Sequence, residues 1–192
     1  MTLAWSRNAT RTLDNVYSGR KMNPDDTIGR LARQIDATSK AERFLVNAEE
    51  VAAVRRQGAL ELYRICEKFV SAVNGRLTQT LLELSPPAYS EETFRESGVN
   101  LMQISTQGRT IQIAFEAPSE SVSTEKFLIP YVLEGEVRAY NQRMLERSEI
   151  RSQALFYCVE NGTAVWRFFD WRTRRTGKLD SDLLAGLMEP LF

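Results

Sequence analysis

Residues 154–177 read ALFYCVENGTAVWRFFDWRTRRTG, and this stretch specifies one element of the fold. Two runs of apolar, aromatic and β-branched residues flank the pair Asn161-Gly162. Such a pair between two runs predicts a β-hairpin, because a type I′ turn requires positive φ at both central residues. A two-residue turn pairs Glu160 with Thr163 and so fixes the register of the whole hairpin. The further predicted pairs are Val159–Ala164, Cys158–Val165, Tyr157–Trp166 and Phe156–Arg167.

Both faces of the predicted hairpin are apolar. One face carries Leu155, Tyr157, Val159, Ala164, Trp166 and Phe168, and the other carries Phe156, Cys158, Val165, Arg167 and Phe169. An antiparallel sheet with one face in water carries polar residues on that face. We therefore expect a cover on both sides, with a helix on one. The second cover is expected to be the N-terminal segment, the C-terminal helix or another subunit.

Hydrophobic periodicity predicts a long helix before the strands. Apolar residues recur every three or four positions, which indicates an amphipathic helix over 40–84 that stops before Pro86-Pro87. At 1.5 Å per residue such a helix would measure ~65 Å. We therefore expect a bend at Gly58 or at Asn74-Gly75, or a projecting part that meets another chain.

From residue 99 the apolar residues alternate, which predicts an antiparallel meander and an α+β fold. The predicted elements are strands 99–106, 109–117, 126–145, 152–160 and 163–171 and a short C-terminal helix over 181–189. We interpret residues 1–38 as an N-terminal arm with a short helix over 24–37. Residues 39–192 then form a single domain, in which a long N-terminal amphipathic helix packs on a five-stranded sheet.

The side chains that carry most catalytic chemistry are scarce. The chain contains no histidine, which removes the commonest general base and metal ligand. Cys66 and Cys158 fall in apolar positions, so we expect small buried hydrophobes rather than a disulfide. Glu134 and Glu136 share a strand face with Arg138, which predicts an ion pair rather than an acid–base pair. The sequence therefore predicts a protein that is not an enzyme and that binds no cofactor or metal.

The net charge, the apolar runs and the cysteines of the sequence indicate the cellular compartment of the protein. The formal net charge is zero, so no overall field attracts nucleic acid or an anionic membrane. The chain has no apolar run long enough for a membrane span, and its first residues lack the apolar core of a secretory signal. Together with two unpaired thiols, these features predict a cytoplasmic protein.

Three functions remain open at this point. The first is an interaction or structural module that self-associates as a homodimer or larger oligomer, or that binds another protein. The second is a small-molecule binding domain with an apolar cavity between sheet and helix. The third is nucleic-acid or phosphate binding through the Arg-rich loop 172–178. The candidate contact residues are Tyr157, Trp166, Arg167, Trp171, Arg172, Arg174 and Arg175.

Overall fold

The computed structural model describes residues 28–29, 31–33, 35, 48–118, 129–160 and 163–192. The chain divides into two compact units, Met1–Gln34 and Ile35–Phe192. In the first unit the described residues are helical, and they fall within the helix predicted over 24–37. Two of its apolar residues, Ile28 and Leu31, are exposed.

The second unit is built on a seven-stranded antiparallel sheet in which each strand pairs with the next along the chain. The strands are β1 (Glu83–Ser85), β2 (Asn100–Thr106), β3 (Arg109–Glu116), β4 (Tyr131–Asn141), β5 (Arg151–Glu160), β6 (Thr163–Asp170) and β7 (Arg175–Lys178). The α+β class and the antiparallel sheet are as predicted. The predicted number of five strands is wrong, because β1 lies in a segment predicted as helix and β7 lies in a segment predicted as a loop.

Three α-helices accompany the sheet in the described part of the second unit. They are α1 (Ala48–Asn74), α2 (Gln142–Glu146) and α3 (Ser181–Met188). Single turns of 3₁₀ helix lie at Glu91–Thr93 and Glu189–Leu191. The long helix is therefore mid-chain rather than N-terminal. None of the described helices combines the length and apolar character that a membrane span requires.

The predicted C-terminal end of the long helix is wrong. α1 runs unbroken through Gly58 and ends at Asn74 instead of continuing to residue 84. The amide of Asn74 donates to the carbonyl of Leu82 at 3.0 Å and accepts from its N–H at 2.8 Å. Leu82 thus joins the core and Leu84 packs against it, both from extended chain. Only the spacing of Leu84 continues the helical stripe. The predicted start over 40–47 lies outside the described residues.

The third predicted strand, 126–145, is too long at its C-terminal end. The side chain of Asn141 accepts a hydrogen bond from the N–H of Met144 at 2.9 Å, which caps α2 and ends β4. The register of β4 and β5 shifts between Tyr131 and Leu133. Residues 126–128 lie outside the described residues.

The hairpin register is confirmed, from Glu160 opposite Thr163 to Phe156 opposite Arg167. The turn residues 161–162 themselves lie outside the described residues. One face of the hairpin joins the main core with α1, and the indole N–H of Trp166 donates to the carbonyl of Gly58 at 2.7 Å. Leu184 and Leu187 of α3 enter the same core. The C-terminal helix is therefore not the cover of the other face.

Candidate functional site

The sheet face opposite α1, which we call the second face, carries a row of charged residues across five strands. Glu116 on β3 is the Cα partner of Glu134 on β4, and Glu134 is the partner of Phe156 on β5. Phe156 is the partner of Arg167 on β6, which in turn faces Lys178 on β7. Directly paired residues project to the same face. This charged row follows the order acid, acid, aromatic, base, base, and it spans about 19 Å at 4.8 Å per strand.

The charged row places like charges opposite each other at both ends. Glu116 faces Glu134 across β3 and β4, and Arg167 faces Lys178 across β6 and β7. Like charges directly opposite destabilise an antiparallel pair. Glu116 and Lys178 are exposed, whereas Glu134 and Arg167 are half-buried. Taken by itself, each of these two cross-strand pairs is therefore unfavourable.

The acidic half of the row borders a shallow depression of about 290 Å³. Its lining residues are Val99, Ala114, Phe115, Glu116, Glu134, Gly135, Glu136 and Phe156. Val99 is exposed at this rim, and Leu101 is exposed on the second face, where it faces Ala114. Within the described ranges no group of His, Cys, Asp or Glu is placed to hold a metal ion. The depression is thus an acidic surface edged by apolar side chains.

Two carboxylates, Glu134 in the row and Glu136 beside it, have hydrogen-bond partners. Glu136 accepts from the Arg138 guanidinium at 2.8 Å, which confirms the predicted ion pair for this residue. Burial acts to raise the pKa of Glu136, but hydrogen bonds from Arg138 and Ser152 hold it below its ordinary value. Burial, together with a hydrogen bond to Glu134, raises the pKa of Tyr131 to about 12.

A small aromatic core lies on the second face of the hairpin. Phe156 is 5% exposed, Cys158 is 0% exposed, and the Phe156 ring lies 4.7 Å from that of Tyr131. Phe169 is half-buried and stacks edge-on against the exposed ring of Trp171 at 4.5 Å. The expectation that both hairpin faces are sheltered is confirmed at Phe156 and Cys158. Their burial is complete within one chain and does not by itself require a partner.

Two of the predicted contact residues lie in the main core instead of at a surface. Tyr157 and Trp166 are 1% and 0% exposed, and their rings lie 5.2 Å apart. The Tyr157 hydroxyl donates to Glu61 at 2.9 Å, and burial, with a smaller effect of Glu61, raises its pKa. Their polar groups therefore serve the packing of α1 on the sheet. Arg167 lies on the second face, in the charged row.

The remaining predicted contact residues lie in the turn between β6 and β7 and at the start of β7, where Arg175 is the first residue. Trp171, Arg172, Arg174 and Arg175 are all exposed there. Asp170 accepts hydrogen bonds from the N–H of Arg172 at 2.9 Å and from the hydroxyl of Thr173 at 2.7 Å. These bonds fix an Asx turn, so the basic side chains project from a defined hairpin tip.

A second cavity of about 290 Å³ lies where the C-terminal end of α1 meets α3. It is lined by Phe69, Val73, Leu77, Thr80, Leu82, Thr106, Ala185, Met188, Glu189 and Phe192. The lining is mainly apolar, with the polar groups of Thr80, Thr106 and Glu189. The sequence did not indicate this cavity, because its walls come from segments about a hundred residues apart.

Both cysteines are free and buried, as predicted. Burial raises the pKa of the Cys66 thiol to about 12, so this group is protonated near neutral pH. Cys158 is also 0% exposed. A buried thiol of this kind acts as a small hydrophobe.

Comparison with known proteins returned no match, whether against family models, curated proteins or solved structures. The physical properties of the surface therefore carry the functional argument.

Proposed function

We propose that this protein is a non-enzymatic interaction module that self-associates through the second face of its sheet. The charged row is the observation that carries the proposal. Its acidic pair, Glu116 and Glu134, and its basic pair, Arg167 and Lys178, lie on the same face and on opposite sides of Phe156. A surface with both signs of charge in separate halves is complementary to a second copy of itself.

The energetics within one chain support this proposal. Each half of the row opposes like charges, which is unfavourable across that pair of strands. A partner that brings the opposite sign over each half converts that repulsion into attraction. Departures from local stability rules of this kind occur at functional sites.

Apolar residues beside the row supply area that association can bury. Leu101 is 50% exposed and Trp171 is 48% exposed. Burying apolar surface contributes roughly 25 cal/mol per Å². Charges then provide orientation and specificity, while the apolar rim provides affinity.

Three reactive groups among the described residues are engaged in the fold, which favours binding over catalysis at these positions. The Cys66 thiol is buried, the Tyr157 hydroxyl bonds to Glu61, and Glu136 is held by Arg138. We therefore assign the function to recognition by the second face rather than to a reaction at these groups.

Light scattering over a wide range of protein concentration tests the proposal. We expect the mass of the wild-type chain to rise with concentration and the rise to be lost in Leu101→Asp. The matched control is Leu81→Asp, because Leu81 is 65% exposed but lies in the segment that leads to β1. A wild-type mass of one chain at every concentration contradicts the proposal.

A second candidate function rests on the apolar cavity between α1 and α3. Its volume of about 290 Å³ and its apolar lining would suit a small hydrophobic molecule. Native mass spectrometry of freshly purified protein should then show a retained ligand. Val73→Trp, which fills the cavity, should abolish the retained mass. A wild-type chain without added mass counts against this second function.

A further inference from the structure

We infer that the cavity between α1 and α3 binds a small uncharged apolar molecule with one hydroxyl or carbonyl group, which hydrogen-bonds to the hydroxyl of Thr106. The inference rests on the second candidate function and adds to it the class of ligand and the residue that recognises it. The second face of the sheet takes no part, so the inference is independent of self-association.

Thr106 is a buried polar residue in the wall of this cavity. It is the last residue of β2 and is 8% exposed. Its side chain lies on the side of the sheet that faces α1, because it alternates in step with the core residues Met102 and Ile104. Its hydroxyl forms no hydrogen bond with the described residues. Buried polar groups are almost always paired, so this hydroxyl is available to a ligand.

The rest of the lining suits the apolar part of such a molecule. Phe69, Leu82 and Met188 belong to the main core and form part of the cavity wall. Leu77 and Phe192, which also line the cavity, are 37% and 72% exposed. A molecule seated there would cover these two side chains as well as burying its own apolar surface.

Hydrogen bonds hold two sides of the cavity in place. Asn74 forms two hydrogen bonds with Leu82, which fix the segment that follows α1. The carbonyl of Leu191 accepts from Arg109 at 3.2 Å and from Asn141 at 2.9 Å, which fixes the last turn of the chain against the sheet. The cavity is therefore preformed, which lowers the ordering cost of binding.

The charges around the cavity favour an uncharged ligand. Glu189 is the one charged residue in its lining, and it is exposed. The nearby Arg109 is engaged elsewhere, because it donates to the carbonyls of Leu191 and Gln107 and its guanidinium lies 4.3 Å from the centre of the Phe192 ring.

An anionic ligand would therefore lack a cation in the lining and would approach the carboxylate of Glu189. An ammonium group would lose its hydration among apolar side chains, and an exposed carboxylate compensates little for that loss. A threonine hydroxyl both donates and accepts, which matches a hydroxyl or carbonyl group on the ligand.

Four probes of similar size test the class of ligand, namely benzyl alcohol, ethylbenzene, benzylamine and benzoate. Each is titrated into the isotope-labelled wild-type chain, and amide chemical shifts give its dissociation constant. Benzyl alcohol and ethylbenzene should both shift the amides of the cavity lining. Benzylamine and benzoate should bind at least about tenfold more weakly than benzyl alcohol, because their charges lose hydration.

The variant Thr106→Val tests the hydrogen bond, because valine keeps the shape of threonine without its hydroxyl. The affinity for benzyl alcohol should fall by about two- to tenfold, and the affinity for ethylbenzene should stay equal or rise. The ratio of the two affinities is the readout, since a change in cavity shape alters both. The matched control is Thr110→Val, a half-buried residue of β3 outside the cavity lining, which should leave both affinities unchanged.

The outcomes separate the inference from the second candidate function. If Thr106→Val weakens both probes equally or neither of them, the hydroxyl contact is overturned while the cavity remains a binding site. Benzoate or benzylamine binding as tightly as benzyl alcohol overturns the uncharged class of ligand. A wild-type chain that binds none of the four probes overturns both. The ranking of probes on wild-type protein does not depend on whether any variant folds.

Discussion

Gly58 lies where α1 meets the sheet, and its replacement by alanine should reverse the usual effect of such a change. A Cβ atom at this position would lie 2.5 Å from the Tyr157 ring, closer than real Cβ atoms approach their neighbours. The Tyr157 ring packs against Trp166, which is 0% exposed, so it has little room to withdraw. The carbonyl of Gly58 also accepts the Trp166 indole hydrogen bond at 2.7 Å.

The expected magnitude follows from two opposing contributions. Alanine is favoured over glycine in a helix interior by about 0.8–1 kcal/mol. Overpacking a filled core costs roughly 1–3 kcal/mol. We therefore expect Gly58→Ala to lower the free energy of unfolding by up to ~2 kcal/mol. For a domain of this size that corresponds to a fall in Tm of up to about 8 °C.

Urea unfolding followed by tryptophan fluorescence measures this change. The matched control is Gly186→Ala in α3, where an added Cβ meets nothing within 4 Å. That substitution should raise stability by about 0.5–1 kcal/mol. In the double variant Gly58→Ala/Tyr157→Val, the shorter side chain makes room for the added methyl group. The double variant should therefore lose less stability than the two single variants lose together. A Gly58→Ala variant as stable as the Gly186→Ala control would falsify the packing argument.

Three further outcomes follow from the described contacts. Burial and Glu134 raise the pKa of Tyr131 to about 12 from its ordinary 10.0. The Tyr131 hydroxyl therefore loses its proton at a lower pH in the unfolded chain than in the folded one. Stability should thus fall as pH rises from 10 to 12, and Tyr131→Phe should flatten this fall in urea titrations; an unchanged slope speaks against the contact. Native protein should leave Cys66 and Cys158 unmodified by an aromatic disulfide reagent until it unfolds, and fast labelling would contradict their burial. Asn74→Ala should cost about 1–3 kcal/mol, since two hydrogen bonds to Leu82 are lost, and a stability within error of wild type would refute that role.

The hairpin was predictable because local signals agree there. An Asn-Gly pair between two β-forming runs sets the register without long-range information. Alternation then separates the residues beneath α1 from those of the second face. The confirmed pairs from Glu160–Thr163 to Phe156–Arg167 follow from these two rules alone.

The missed strands lack a distinguishing apolar pattern. β1 has three residues, and the spacing of Leu84 continues the helical stripe of α1. β7 consists of Arg175, Thr176, Gly177 and Lys178, which show no apolar alternation. Main-chain pairing with β6 and the Asx turn at Asp170 therefore specify this strand. Such strands form because a partner strand is present, which sequence periodicity does not report.

The charged row depends on registers that the sequence alone does not fix. Phe156 opposite Arg167 was predicted, but the pairing of Glu134 with Phe156 follows from the register of β4 and β5 between Leu133 and Ala139, which no two-residue turn sets. Lys178 joins the row only through β7. A one-residue error at either place moves the charge to the other face. The surface therefore becomes visible only with the whole sheet in register.

Zero-length carbodiimide cross-linking of mixed unlabelled and isotope-labelled wild-type protein detects contact between the second faces of two chains. Within one chain Glu116 and Lys178 lie about 19 Å apart across the sheet, too far for such a bond. Mass spectrometry should find peptides that join Glu116 of one isotope to Lys178 of the other. Lys68 on α1 should give no such mixed product with Glu116. Absence of mixed Glu116–Lys178 peptides across the concentration range, or mixed products that join Glu116 to Lys68 instead, would contradict association through the second face.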